Sequence, residues 1–420
     1  MKTSSVRRTD IDLLRAFAVL AVMLFHFEVP GFDGGFLGVD IFFVISGYLI
    51  TAHLHEQLAS GSFTFSQFYA RRIRRLMPAL VAIFLITSVI SLLVFPRDLL
   101  LDFAHSQLAS TLYVSNIYFW SVADYFDTSS YLKPLLHTWS LSVEEQFYLF
   151  WPLCLFIVGV QRSRWFILIA GAFSLIAAEV MLEVSPTAAF FMFPFRIFEF
   201  SIGAWISVAS IRNFSARRGY SLLGLAILML CGSVILGDER HRMPGLLSLP
   251  VCVSTALIIS IKHPWLNRQD FLTKMFLRVG IISYSAYLVH WPLVVFYKLL
   301  VVDELRWTDS LLLILATLIL AELIYRLIEL PFGRLKLAGK QGYYFASLVL
   351  LIAATWSYMC FAPQVYDFRR SQTLNVSAVI DNTPRRDPEI LMAAMRGIDI
   401  EMMSKAPIQI LVVGDSAKDV

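Results

Sequence analysis

Ile11-Asp12-Leu13-Leu14-Arg15-Ala16-Phe17-Ala18-Val19-Leu20-Ala21-Val22-Met23-Leu24-Phe25-His26-Phe27 is an apolar stretch broken by an arginine toward one end and a histidine toward the other. A helix turns about 100° per residue, so the eleven steps from Arg15 to His26 bring both onto one stripe, with a rise of roughly 16 Å between them. That is about half the hydrocarbon thickness of a bilayer, which puts Arg15 near one surface and His26 toward the other. Ionisable groups inside a membrane are costly and default to a functional site. An arginine snorkelling to its interface and a histidine bonded between packed helices would give the same pattern, and the stretch alone does not separate the two.

The rest of the chain settles the class. Its 420 residues are 58% hydrophobic and 16% charged, with a mean hydropathy of +0.68, beyond what a soluble fold tolerates. Apolar runs fall at about 10–28, 36–54, 77–95, 139–159, 165–182, 188–210, 221–236, 246–261, 279–301, 308–328 and 343–361. The expected fold is therefore all-α, a polytopic transmembrane bundle of about eleven helices. The first run holds Arg15 and is followed by no small-residue cleavage site, so it reads as a retained helix rather than a signal peptide.

Placing the N-terminus in the cytoplasm assigns nineteen Lys and Arg to the inner segments and five to the short outer loops, the bias that sets orientation. An odd helix count then sends the segment after residue 361 outside. The formal net charge of +4 follows from this asymmetry and needs no nucleic-acid partner. Cys154, Cys231, Cys252 and Cys360 lie in or beside apolar runs without CxxC spacing and read as packing residues. No glycine-rich phosphate loop, His/Cys metal cluster or internal repeat is visible.

Two groups of residues carry chemistry. Between the second and third runs, Phe68-Tyr69-Ala70-Arg71-Arg72-Ile73-Arg74-Arg75-Leu76-Met77-Pro78 sets four guanidiniums within five residues at an inner helix entrance. Such a loop can grip the phosphates of a nucleotide-type ligand, although most such clusters are topology signals touching anionic lipid. Glu329, at the inner end of the tenth run, is placed to pair with Arg326 or Arg15. On the opposite surface, Asp40 in Gly38-Val39-Asp40-Ile41-Phe42-Phe43-Val44-Ile45-Ser46-Gly47 falls at a depth comparable with His26. So do Glu144 and Glu145 in His137-Thr138-Trp139-Ser140-Leu141-Ser142-Val143-Glu144-Glu145-Gln146-Phe147-Tyr148. A carboxylate facing a histidine orients the ring and stabilises its imidazolium, as a general base requires; a proton relay or polar packing would use the same residue types. Arg196 and Glu199, three apart, read as a mutual pair. His290, in Ser283-Tyr284-Ser285-Ala286-Tyr287-Leu288-Val289-His290-Trp291-Pro292, lies mid-membrane and stays open between packing and function.

Taken in order along residues 8–333, Asp12–Ala16 with His26, Gly38–Gly47, Arg71–Pro78, His137–Pro152, Ser283–Pro292 and Glu329-Leu330-Pro331 resemble the acyltransferase 3 family of integral membrane acyltransferases. The resemblance implies acetyl transfer from cytosolic acetyl-CoA to a sugar hydroxyl on the far side of the membrane. The family's Arg-x10-His pattern falls on Arg15 and His26. Its Arg-x-x-Arg pattern fits Arg72 and Arg75, while Arg71 and Arg74 match the bare spacing equally well. On this reading Arg71, Arg72, Arg74 and Arg75, with Glu329, hold the CoA end, and the pantetheine arm passes Arg15. His26, with Asp40, Glu144 or Glu145 behind it, either accepts the acetyl group or serves as general base.

Past the bundle of residues 1–335, a further helix over 336–362 and an extracytoplasmic linker over 363–407 lead to Ile408-Gln409-Ile410-Leu411-Val412-Val413-Gly414-Asp415-Ser416. This reads as a buried parallel strand ending in a tight turn. It is similar to the first block of an SGNH hydrolase domain, in which the serine is the nucleophile. Ala417 stands where that family often has His, and the chain stops four residues after Ser416 with no base for it. The expectation is a piece of a longer, SGNH-fused protein of the bacterial inner membrane, with 408–420 opening an α/β domain that is periplasmic or extracellular. The fused form implies O-acetylation of an envelope polysaccharide such as lipopolysaccharide O-antigen, with peptidoglycan as the alternative acceptor. From another class, a secondary transporter would also place His, Arg and Glu in the membrane.

Overall fold

The computed structural model describes residues 8–122, 132–209, 216–238, 243–261, 270–302 and 304–334, together with positions 266 and 347. Every regular element among them is helical. In chain order they are α1 (Thr9–His26), α2 (Gly38–Ala59), α3 (Phe65–Val94), α4 (Arg97–Thr111), α5 (Ser115–Val122), α6 (Thr138–Val158), α7 (Ser163–Val184) and α8 (Pro186–Phe191). There follow α9 (Ile197–Val208), α10 (Ala216–Leu236), α11 (Leu249–Ile261), α12 (Phe271–Ile281), α13 (Ser283–Leu300), α14 (Trp307–Ile324) and α15 (Leu330–Arg334).

Six of the described helical stretches are long and apolar enough to cross a membrane, or seven if α12 and α13, bent by 71° at their junction, form one span. This is a multi-pass helical membrane fold. Its periphery is apolar: α7 and α14 turn Phe173, Ile176, Val180, Leu312, Leu315 and Ile319 outward, a surface suited to lipid. α1 is the opposite case. Its Asp10, Asp12 and Arg15 would be costly against lipid, and the helix is enclosed by protein, packing on α2, α12 and α13 with Val19, Val22 and Met23 fully buried. Arg8 ties down its start, pairing with Asp10 at 2.5 Å and donating to Tyr48 Oη at 2.6 Å and the Ile259 carbonyl at 2.9 Å.

Among the described residues the chain is more broken than the eleven expected runs, each departure with a local cause. The run at 77–95 starts earlier: α3 is 30 residues long, so Arg71, Arg72, Arg74 and Arg75 lie on its first turns and not in a loop. Arginine is a good helix former, and its long stem lets the helix extend past the lipid. Residues 97–122, read as an outer loop, form α4 and α5, with Leu99, Leu100, Phe103 and Ala104 packed inward. Short amphipathic helices have too few apolar residues to register as a membrane run. The run at 188–210 divides around a 3₁₀ turn, Phe193–Phe195, that contains Pro194, a residue with no N–H to give. The tenth run passes from α14 into a π-helical turn, Tyr325–Glu329, that carries Glu329. The eleventh run at 343–361, apart from position 347, lies outside the described residues, as do Cys360, the linker, the 408–420 segment and Ser416.

One close helix crossing is between α2 and α9. A Cβ on Gly47 would sit 1.9 Å from the Phe200 carbonyl oxygen, and one on Gly203 1.9 Å from that of Val44. The two backbones are in contact, the arrangement small residues permit between membrane helices. Gly47→Leu is expected to force them apart at a cost of about 3 kcal/mol or more. Thermal unfolding in detergent should register a fall of several degrees in Tm, and an unchanged Tm would refute the crossing.

Candidate active site

Two cavities lie end to end inside the bundle. The first has a volume of about 580 Å³, and its wall includes His26, Asp40, His137, Arg196, Tyr287 and Trp291. The second, about 80 Å³, is lined by Arg15, Arg72, Arg75, Glu144, Tyr148 and Tyr287 among others. Val39 and Tyr287 belong to both walls, so the histidine cavity and the arginine cavity meet at these two side chains. Arg15 and His26, on one stripe of α1, thus look into successive chambers.

His26 ends α1 and is only partly buried. Its Nδ1 is 3.1 Å from Nε2 of His290, a fully buried residue of α13. Nδ1 of His290 is in turn 2.6 Å from the Tyr287 carbonyl oxygen. A carbonyl only accepts, so His290 carries its proton on Nδ1 and offers the Nε2 lone pair to the His26 Nδ1–H. The chain of bonds fixes the tautomer of His26 and leaves its Nε2 as an unprotonated base. The edge of Trp291 packs against the ring, centroids 4.7 Å apart, while Trp291 Nε1 donates to the Lys133 carbonyl at 2.9 Å. Sequence reading had left His290 undecided and had expected a carboxylate in this place.

The carboxylates lie elsewhere. Asp40 does line the histidine cavity, but its carboxylate faces Arg196 Nη1 at 3.5 Å. Arg196 also pairs with Glu199 at 2.9 Å, as its spacing suggested, and its guanidinium lies over the adjoining rings of Trp139 and Phe190. Glu144 is in the arginine cavity, where Ser46 Oγ and Tyr148 Oη both donate to its Oε1. Seven residues of helix, about 10 Å of rise, separate it from His137 in the other chamber. Glu145, turned a further 100° or so around α6, lines neither cavity. The common depth expected for His26, Glu144 and Glu145 is therefore corrected, and the group that faces the His26 ring is the imidazole of His290.

The arginine cluster also sorts itself. Arg72 and Arg75, three apart on one face of α3, reach the arginine cavity, with Arg72 over the Tyr148 ring at 4.6 Å. Arg71 turns away and donates to His53 Nε2 at 3.0 Å and to Gln57 Oε1 at 3.4 Å. Arg74 is absent from the walls of both cavities. Of the two Arg-x-x-Arg pairs, Arg72 and Arg75 are the one that lines the cavity. Of the two partners expected for Glu329, Arg326 pairs with Glu322 instead; Glu329 accepts from Ser285 Oγ at 2.9 Å, feels the charges of Arg75 and Arg15, and lines neither cavity.

A family model described as an acyltransferase domain matches residues 8–326. The chain is 34% identical over 369 residues to the O-acetyltransferase OatA of Staphylococcus aureus (strain MRSA252), covering 81% of this chain and 60% of that protein. It is 33% identical over 350 residues to the peptidoglycan O-acetyltransferase OatA of Listeria monocytogenes, with 77% and 55% covered, and 33% over 348 residues to YrhL of Bacillus subtilis (strain 168), with 76% and 54% covered. The chain thus spans a little over half the length of the curated relatives it matches. No solved structure matches it. With the family model spanning most of the 420 residues and relatives a third identical over three quarters of them, the chain belongs to the acyltransferase 3 family.

Proposed function

We propose that this bundle transfers an acetyl group from acetyl-CoA on the cytoplasmic side to a hydroxyl of a cell-envelope polysaccharide, peptidoglycan, on the other side. The observation that carries the reading is the meeting of an arginine-lined and a histidine-lined cavity at Val39 and Tyr287. The Lys and Arg bias places the N-terminus and the arginine cavity toward the cytoplasm of a bacterial inner membrane. Arg72 and Arg75 bind the CoA phosphates, for which the forked guanidinium is suited. The pantetheine arm runs up past Arg15 and Tyr287 and brings the thioester to His26. There Nε2 takes the proton of the acceptor hydroxyl as the new C–O bond forms. The C–S bond breaks, and the imidazolium returns the proton to the CoA thiolate.

Peptidoglycan takes the place of O-antigen because the Listeria relative is named for it. The segment that suggested O-antigen lies outside the described residues. The test supplies labelled acetyl-CoA to the purified protein with peptidoglycan fragments or O-polysaccharide as acceptor. Alkali-labile label on peptidoglycan is expected, and label on O-polysaccharide alone would overturn the acceptor.

The same assay reads His290. Its Nε2 accepts from His26 Nδ1–H and stabilises the charge that builds there. His290→Ala should lower kcat about 10- to 100-fold, while His290→Gln, which keeps an acceptor, should lose less. Equal rates for both variants and the wild type would remove His290 from the mechanism.

A further inference from the structure

His137 is a side chain of the histidine cavity that the mechanism above does not use. It stands immediately before α6 and is only 3% exposed, yet beyond a loose approach to the Leu288 backbone neither Nδ1 nor Nε2 makes a hydrogen bond of good geometry among the described residues. Its ring lies edge-on to His290, centroids 5.8 Å apart, and beside Tyr287 at 5.7 Å. The backbone beneath it is fixed: Tyr287 Oη and Ser140 Oγ each lie 3.1 Å from the His137 carbonyl oxygen and 2.6 Å from each other, so one hydroxyl donates to its neighbour and the other to the carbonyl. Native proteins rarely leave buried polar atoms unpaired, and an orphaned ring in a cavity wall is explained if its partner is the substrate. A ring so enclosed stays neutral, with one N–H to donate.

We propose that His137 donates a ring N–H to the acyl carbonyl oxygen and holds the negative charge that forms there. The proposal rests on the acetyl transfer proposed above. When the acceptor oxygen attacks, the carbonyl π electrons move onto oxygen and the acceptor's proton goes to His26 Nε2. His137 binds the resulting oxyanion until the electrons return and the C–S bond breaks. Preorganised donors aimed at such an oxygen are worth about 10²- to 10³-fold in kcat. His26 and His137, both neighbours of His290, thus divide base and electrophile between them.

The test compares the full chain with His137→Ala and His137→Gln in proteoliposomes, using labelled acetyl-CoA and a peptidoglycan fragment, with acetyl-CoA affinity and Tm measured in parallel. The expected result is a 10²- to 10³-fold fall in kcat for His137→Ala. Acetyl-CoA affinity and Tm should be unchanged, and His137→Gln, which keeps an N–H donor, should recover part of the loss. Turnover within threefold of wild type in the alanine variant, equal losses in both variants, or a loss carried by acetyl-CoA affinity or Tm overturns the proposal. Failure of the wild type to acetylate anything would instead overturn the transfer reading on which it rests.

Discussion

His26→Ala is expected to lower acetyl transfer about 10²- to 10⁴-fold, the range over which a positioned general base acts. The ring sits at the end of α1 on the wall of the cavity, so truncation should disturb the packing around Trp291 little. Acetyl-CoA affinity should be unchanged if, as proposed, the donor's phosphates bind the arginines of the other chamber. Initial rates and calorimetry on the same preparation read the two quantities separately. A fall in affinity matching the fall in rate would mean that His26 binds the donor and does not act on the acceptor.

The converse separation is expected at the arginine cavity. A guanidinium–phosphate contact contributes about 1.5–3 kcal/mol, so replacing Arg72 and Arg75 together with Gln should weaken acetyl-CoA binding by about 100-fold or more. Wild-type affinity should fall as salt is raised, since such contacts at an open inner mouth are screened. Arg71→Gln is the control, because Arg71 turns to His53 and Gln57 and reaches neither cavity. Equal affinity in the double variant, or an equal loss in Arg71→Gln, would return the cluster to a topology signal.

Those two expectations differ in how far they could be read from sequence. Arg15 and His26 share one helix, so their common stripe follows from helical periodicity alone, and the structure places them in adjoining chambers. Arg72 and Arg75 were legible as a spacing but not as the preferred pair, since the choice depends on where His53 and Gln57 of α2 draw Arg71. The partner of His26 was out of reach: His290 is 264 positions away and meets it only through tertiary packing. Glu144 was misplaced for a different reason. The start of α6 is legible to within a residue, but Glu144 stands about two turns inside it, and that rise carries it from the chamber of His137 into the other one. α4 and α5 were missed because amphipathic helices packed on a bundle carry no membrane-length apolar run.

The claim that joins these parts is that one protein receives the acetyl group through its arginine cavity and delivers it from its histidine cavity. The direct measurement uses uniformly oriented proteoliposomes, with labelled acetyl-CoA confined to the face bearing Arg72 and Arg75 and peptidoglycan fragments confined to the opposite face. The account predicts labelled ester on the fragments across the sealed bilayer, abolished by His26→Ala. Label that forms only when both substrates are on the same face would contradict it.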